Sequence, residues 1–219
     1  MDRLFKNRRE AGAILGERLL SEYRGRSDIV VLAIPRGGVP VGFEIAQMFH
    51  APMDVLVIRK LGAPGHEELA MGAIATGEVS VVNREVVQAL SIPETDLIRV
   101  KALEQIELNR RESLYRDGHL PIPVYGKTVI IVDGGLATGA TMRTAVIATR
   151  QREPAKVVVA VPVSPIEVCD RLMVAADEMV CVQTPHEFLG VGQWYEDFEA
   201  PSDTEVRDLL VEHGMRAHL

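Results

Sequence analysis

Nine consecutive residues, Asp133-Gly134-Gly135-Leu136-Ala137-Thr138-Gly139-Ala140-Thr141, combine an acid, a run of small residues and two hydroxyls directly after the apolar run Thr128-Val129-Ile130-Ile131-Val132. In a turn of this kind successive backbone N–H groups point to a common centre. A helix opening near Thr138 adds the positive end of its dipole, and the Thr138 and Thr141 hydroxyls can donate to phosphate oxygens. The segment therefore suits a phosphate monoester. It is not a Walker loop, because no lysine follows the last glycine, and a G-x-G-x-x-G fingerprint would be expected after the first strand rather than the third.

Three further segments carry chemistry. Pro35-Arg36-Gly37-Gly38 ends the first apolar run; its glycines allow close backbone approach to an anion, and Arg36 offers a planar fork for phosphate oxygens. Arg59 and Lys60 follow the second apolar run, where both cations can reach the same crevice and offset the charge of a diphosphate. The stretch from Thr184 to Phe198 gathers Phe188, Trp194, Tyr195 and Phe198, and an aromatic cluster beside an anion site can stack a planar base. Trp194, Tyr195 and Phe198 are expected to pack a C-terminal helix starting near Ser202, and His66, Glu67, Glu68, Arg110 and Arg111 to form a solvated charged face. His50, His119, His186, His213 and His218 lack the spacing of a metal site or a triad.

The elements that must position these residues alternate. Ala11, Ile14, Leu15, Leu19 and Leu20 recur at helical spacing after Asn7, a capping residue, which predicts a helix over 8–23 ended by Gly25. Apolar runs at 29–34, 54–58, 128–132, 157–161 and 179–182 are short and rich in branched residues, as in strands covered on both faces. Helical segments follow the first, third and fourth of them, to about His50, over about 139–152 and over about 165–176. This βα rhythm predicts an α/β fold with a doubly wound, mainly parallel five-stranded sheet. Ligands then bind where the strand C-termini open into loops.

Between about 61 and 126 the rhythm breaks. Gly62, Pro64 and Gly65 mark a loop, 73–82 reads as a hairpin around Thr76-Gly77, and 94–116 as a long charged helix with Leu97, Val100, Leu103, Ile106 and Leu114 on its apolar positions. Long insertions over a ligand crevice are commonly lids that exclude water. The chain thus reads as one domain over 1–219: a core of about 27–60 and 127–183, a lid insertion of about 61–126 and a C-terminal hood of about 184–200.

Composition sets the outer limits. The chain has 219 residues, 47% hydrophobic, enough for a core without disulfide staples. Its 24 basic and 31 acidic residues give a net charge of −7, which argues against a general nucleic-acid binder. The two cysteines, Cys169 and Cys181, match neither a metal knuckle nor a disulfide framework. No run approaches the ~18 apolar residues that span a bilayer, and Met1-Asp2-Arg3-Leu4-Phe5-Lys6 is no signal peptide. A cytoplasmic protein without membrane partners is the expectation.

The turn Ile130 to Thr141 resembles the ribose-phosphate signature of type I phosphoribosyltransferases, in which a hydrophobic strand, two acids and a small spacer lead into Thr-Gly-x-Thr. The chain is most similar to the small bacterial group with an Asp-Asp-Gly-x-Ala-Thr-Gly turn, whose physiological base is unassigned. The resemblance implies that Thr138 to Thr141 hold the 5′-phosphate of phosphoribosyl pyrophosphate (PRPP), that Asp133 meets the ribose hydroxyls, and that Arg36, Gly37 and Gly38 form a pyrophosphate loop with a non-proline cis peptide near Arg36-Gly37. It also implies Mg2+ bound with PRPP, with Asp133 and Asp197 toward the metal. Phe188 would stack on the base and Val191 and Gly192 line its edge, as in the hood of purine-type members. The products would be a nucleoside monophosphate and pyrophosphate, in a purine-salvage role. A homodimer through helices 8–23 and 94–116 would also fit.

Two positions depart from the family pattern. The second acid falls on Gly134, and Ala137 stands where some purine enzymes carry an Asp facing the base. Loss of one well-placed electrostatic partner costs ~3 kcal/mol of barrier, about a hundredfold in rate. Two alternatives to transfer therefore stay open: a catalytically weakened PRPP or nucleotide sensor, and a hydrolase that releases pyrophosphate without a base.

Overall fold

The computed structural model describes residues 4–216; the charged start at Met1 to Arg3 and His218 lie outside the described residues. The elements follow in the order α1 (Arg8–Tyr23), β1 (Ile29–Ala33), α2 (Gly38–Phe49), β2 (Met53–Val55), β3 (Ile58–Ala63), β4 (His66–Ala75), β5 (Val79–Val82), α3 (Arg84–Ala89), α4 (Glu94–Arg116), β6 (Thr128–Val132), α5 (Ala140–Arg150), β7 (Lys156–Val163), α6 (Ile166–Met173), β8 (Glu178–Gln183), a 3-10 turn (Val191–Trp194) and α7 (Asp203–Arg216). The predicted cap holds, since Asn7 accepts from the Glu10 amide at 3.0 Å.

Five strands form one parallel sheet in the order β2-β1-β6-β7-β8. Period-two alternation sends successive side chains to opposite faces. Ile29, Val31 and Ala33 of β1 join Ile130, Val132, Val158 and Ala160 in a core closed by α1 and α2. Val30, Leu32, Val129, Ile131, Val157 and Val159 face Met142, Val146, Val168 and Leu172 of α5 and α6 on the other side. From β1 the chain winds outward to β2, and from β6 the opposite way to β7. The crevice therefore opens between the C-terminal ends of β1 and β6, where the winding reverses.

The run predicted as one strand over 54–58 is two. β2 stops at Val55, and β3 leaves the parallel sheet to begin a separate antiparallel one, β3-β4-β5. The segment expected to be a loop from Leu61 is the first hairpin of this sheet. Pro64-Gly65 makes its turn, with Gly65 at φ +75°, and the pairing shifts register at Gly62, whose missing Cβ would lie 2.7 Å from the Glu67 carbonyl. The sheet packs against both α4 and α5. The predicted α4 spans the expected residues, and Leu97, Val100 and Leu114 pack on the core as expected beside the buried Leu108 and Tyr115, but Leu103 and Ile106 are exposed. Its last residue, Arg116, is buried against Asp54 of β2 at 2.9 Å.

No helix among the described residues is long and apolar enough to cross a membrane. Both cysteines are free thiols.

Candidate active site

β6 ends at Val132 and the chain turns at Asp133, whose Oδ1 accepts from the Gly134 amide at 2.7 Å. Leu136 is buried and its amide donates to the Val163 carbonyl at 2.9 Å, which ties the turn to the end of β7. Gly139 caps α5 from the left-handed region, at φ +74°. Thr138, Ala140 and Thr141 are exposed, so the first turn of α5 presents its amides and hydroxyls to solvent at the mouth of the crevice.

The loop after β1 meets this turn from the neighbouring strand. The Ile34 amide donates to the Val132 carbonyl at 2.9 Å, and a Cβ on Gly38 would lie 2.5 Å from that same oxygen. Only glycine permits α2 to start this close to the turn. Arg36 is exposed at the tip, and the cis peptide stands at Pro35–Arg36, one bond before the expected position. Gly37, Gly38, Asp133 and Gly134 thus form a continuous backbone-lined floor.

The hood closes over the turn. Val191 touches Gly135 so closely that a Cβ there would lie 2.5 Å from Val191 Cγ1, and Gly135 has φ +146°. The Tyr195 hydroxyl donates to the Gly134 carbonyl at 2.6 Å, and burial pushes its pKa well above the usual phenol range. Trp194 and Tyr195 pack on Phe5 and Ala11 at the start of α1, and Phe198 on Tyr195 and Arg8, rather than on the C-terminal helix as predicted. Phe188 is half-buried against the same cluster, and a Cβ on Gly192 would lie 3.0 Å from the Phe198 ring.

Other predicted residues stand apart. Arg59 pairs with Glu104 of α4 at 2.6 Å, and the Lys60 ammonium donates to the Glu68 carbonyl at 3.1 Å, because both belong to β3 of the separate sheet. Arg110 and Arg111 both pair with Glu107 on the surface of α4, as expected of a solvated face. Asp197 is exposed in the hood, where its Oδ1 accepts from the Glu199 amide at 3.0 Å.

Sequence reasoning missed Arg8. The first residue of α1, it is 8% exposed, stacks its guanidinium 4.0 Å from the Phe198 ring centroid and donates from Nη1 to the Glu199 carbonyl at 2.7 Å. Its charge acts on Tyr195, Asp133 and Asp197. Burial pushes the Asp133 carboxyl up to about 7, while the Gly134 amide and Arg8 both favour the ionised form. No spacing rule singles out an arginine at a helix start.

The donor set does not suit a resident divalent cation. Asp133 already accepts from an amide, position 134 has no carboxylate, and a guanidinium acts on both Asp133 and Asp197. The described residues contain no group of three or more His, Cys, Asp or Glu able to hold a metal.

A doubly wound sheet with an open, glycine-rich turn at its switch point, faced by a second glycine-rich loop and roofed by a hood, defines an α/β protein whose crevice lies at the strand C-termini. The phosphoribosyl transferase domain family matches residues 4–191, and the chain belongs to that family. It is 45% identical over 204 residues to two Mycobacterium tuberculosis proteins, from strains CDC 1551 and H37Rv, whose names give phosphoribosyl transferase as an unproven activity. The match covers 93% of this chain but 46% of those proteins, so the chain spans about half the length of the curated relatives. Among solved structures, TT1426 from Thermus thermophilus is 38% identical with a TM-score of 0.84, covering 95% of this chain and 98% of that one. The AQ2163 protein from Aquifex aeolicus shares the fold at 16% identity and a TM-score of 0.50, covering 93% of this chain and 84% of that one.

Proposed function

We propose that the chain transfers the 5-phosphoribosyl group of PRPP to the ring nitrogen of a base, with a purine favoured. The observation that carries this reading is the exposed start of α5, Thr138 to Thr141, opening at the switch point beside the Arg36 loop. The α5 amides and the two threonine hydroxyls take the 5′-phosphate. Asp133 meets the ribose hydroxyls and opposes the positive charge that develops at C1′. Arg36, with the Gly37 and Gly38 backbone, takes the pyrophosphate, whereas Arg59 and Lys60 stay engaged with Glu104 and the Glu68 carbonyl. Gly134 to Ala137 line the ribose side, and Phe188, Val191 and Gly192 frame the base. The C1′–O bond to pyrophosphate breaks as the C1′–N bond forms, and the hood and insertion keep water from the cationic centre.

Magnesium enters this reading only as a companion of PRPP, carried by the ligand's own diphosphate and not by Asp133 or Asp197. The exposed Ile98, Leu103 and Ile106 of α4 supply the contact of a homodimer.

A second reading, a PRPP or nucleotide sensor, is favoured by Gly134, which removes a carboxylate from the reacting centre. One experiment separates the two. The protein is incubated with Mg2+, PRPP and a panel of purine and pyrimidine bases, and nucleotide and pyrophosphate are followed by chromatography. Base-dependent nucleotide supports transfer, binding without turnover supports the sensor, and base-independent pyrophosphate means hydrolysis. If PRPP neither binds nor reacts, the phosphoribosyl reading is lost.

A further inference from the structure

Cys169 lies in the middle of α6 and Cys181 in the middle of β8, and neither belongs to the site described above. The fold sets their side chains together. Each thiol is a hydrogen-bonding neighbour of the other, the Ser164 hydroxyl also reaches Cys169, and the Cys181 thiol donates to the Gln183 carbonyl at 3.0 Å. Both cysteines line an open groove of about 550 Å³ between α1, α6 and β8, flanked by Arg18, Ile166 and Met173. A small oxidant reaches them from that groove, although Cys169 is only 6% exposed.

The two sulfurs are not equivalent. The Cys181 thiol beside it lowers the Cys169 pKa to about 7, with the Ser164 hydroxyl helping and burial and the Asp170 charge opposing. Cys181 is pushed up, by the Cys169 sulfur and by burial. Cys169 is thus the sulfur that ionises near neutral pH and attacks, and Cys181 the one that keeps its proton.

The helix that carries Cys169 also touches the crevice. A Cβ on Gly139, the cap of α5, would lie 2.7 Å from Val168 Cγ1 and 3.6 Å from Leu172 Cδ1, so α6 fills the space that a side chain there would take. β8 is held along its length by β7, whereas α6 is a helix of eight residues. A disulfide brings its sulfurs to about 2.0 Å, well inside any non-bonded contact. Closing that gap draws α6 toward β8, and a close-packed interior passes the displacement through Val168 to Gly139.

We propose that Cys169 and Cys181 form a peroxide-sensitive thiol pair whose reversible disulfide shifts α6 and loosens anion binding at the start of α5. Formation of the disulfide is independent of the ligand; its effect on binding rests on the phosphoribosyl reading above. The Cys169 thiolate attacks one oxygen of a hydroperoxide, so that an S–O bond forms, the O–O bond breaks and the other oxygen leaves, protonated, as water or an alcohol. Cys181 then attacks the sulfenic sulfur. The S–S bond forms, the S–O bond breaks and the hydroxyl leaves as water with the Cys181 proton. Two electrons pass from the thiols to the peroxide, and an external dithiol reverses the change.

The test treats the full chain with hydrogen peroxide or with dithiothreitol and compares the two forms by peptide mapping, by hydrogen exchange of the amides of residues 139–143 and by calorimetric titration of PRPP. The expected result is a Cys169–Cys181 crosslink within one chain, removed by dithiothreitol, with faster exchange over 139–143. The PRPP Kd should rise about fivefold or more, the low end of coupling between sites. In Cys181→Ser, oxidation should stop at a sulfenic acid on Cys169 that dimedone traps, without the change in exchange. No crosslink, a crosslink only between chains, or a crosslink that leaves exchange over 139–143 unchanged overturns the proposal. Oxidation of Cys181 at the wild-type rate in Cys169→Ser overturns the assignment of Cys169 as the attacking sulfur. If PRPP binds in neither form the phosphoribosyl reading fails, while crosslinking and exchange still decide this inference.

Discussion

The hydroxyl of Tyr195 donates to the carbonyl of Gly134 across 61 residues of chain, joining the hood to the turn between β6 and α5. Tyr195→Phe keeps the ring on Phe5 and Arg8 but leaves a buried carbonyl without this donor, which costs about 1–3 kcal/mol. Denaturant unfolding should show that loss with an unchanged m-value. PRPP affinity should fall as well, because the floor at Gly134 is no longer held; wild-type affinity in a destabilised Tyr195→Phe would separate the hood from the ligand site.

Gly135 couples the same two elements by close contact. Gly135→Ala places a methyl 2.5 Å from Val191 Cγ1 on a backbone at φ +146°, so either the turn or the 3-10 segment must move. Overpacking and backbone strain each cost about 1–3 kcal/mol. The expected result is a lower Tm with a larger fractional loss of base binding than of phosphate binding, because the proposed function puts Val191 on the base side. Equal loss of both ligands contradicts the placement of Val191.

Thr138 is exposed and its hydroxyl makes only a long 3.4 Å contact with the Ala140 amide, so it contributes little to the fold. Thr138→Val should leave unfolding stability within about 0.5 kcal/mol of wild type and weaken PRPP binding about tenfold, the worth of a hydrogen bond to a charged group. Denaturant unfolding checks the first number and calorimetry the second, and unchanged affinity removes Thr138 from the phosphate site.

The parallel sheet was legible because its strands are continuous branched-apolar runs, and the open turn before α5 because small residues, hydroxyls and a helix start coincide there. The division between β2 and β3 was not, since Val55 to Ile58 is apolar throughout and periodicity alone does not mark where a strand changes sheet. The hood contacts were misplaced for a related reason. Trp194, Tyr195 and Phe198 are close in sequence to α7, but the Phe5 amide donates to the Trp194 carbonyl at 2.9 Å and draws them to the other terminus. Arg8 and Tyr195 act through hydrogen bonds that span 191 and 61 residues of chain, which no local pattern records.

Asp28 supplies a pH dependence of definite sign. Two hydrogen bonds from Arg26, supported by the Thr128 hydroxyl at 2.8 Å, hold its carboxyl well below the usual carboxylate range. A depressed native value stabilises the fold above the unfolded pKa near ~4, and the contribution is lost as pH falls toward the native value. The pair is about a third exposed and solvent-screened, so the contribution is at most ~1 kcal/mol. Asp28→Asn should lower stability at pH ~7 and flatten the acid limb below pH ~4; an unchanged limb assigns acid sensitivity to other carboxylates.

The Arg116–Asp54 pair carries a larger consequence, because the two side chains are only 6% and 8% exposed. Asp54 also accepts from the Ile122 amide at 3.1 Å, and Arg116 donates to the Val55 carbonyl at 2.9 Å and pairs with Glu112 at 2.8 Å. The pair thus pins the end of α4, and with it the return of the insertion, to the edge strand β2. Arg116→Leu leaves the buried Asp54 without its ion-pair partner, which costs about 3–5 kcal/mol. Asp54→Ala leaves Arg116 with Glu112 and should cost less. Replacing both partners, Asp54→Leu with Arg116→Leu, removes the stranded charge and should recover part of the loss; a double variant no more stable than Arg116→Leu alone means that the hydrogen bonds to Val55 and Ile122, and not the charges, hold the insertion in place.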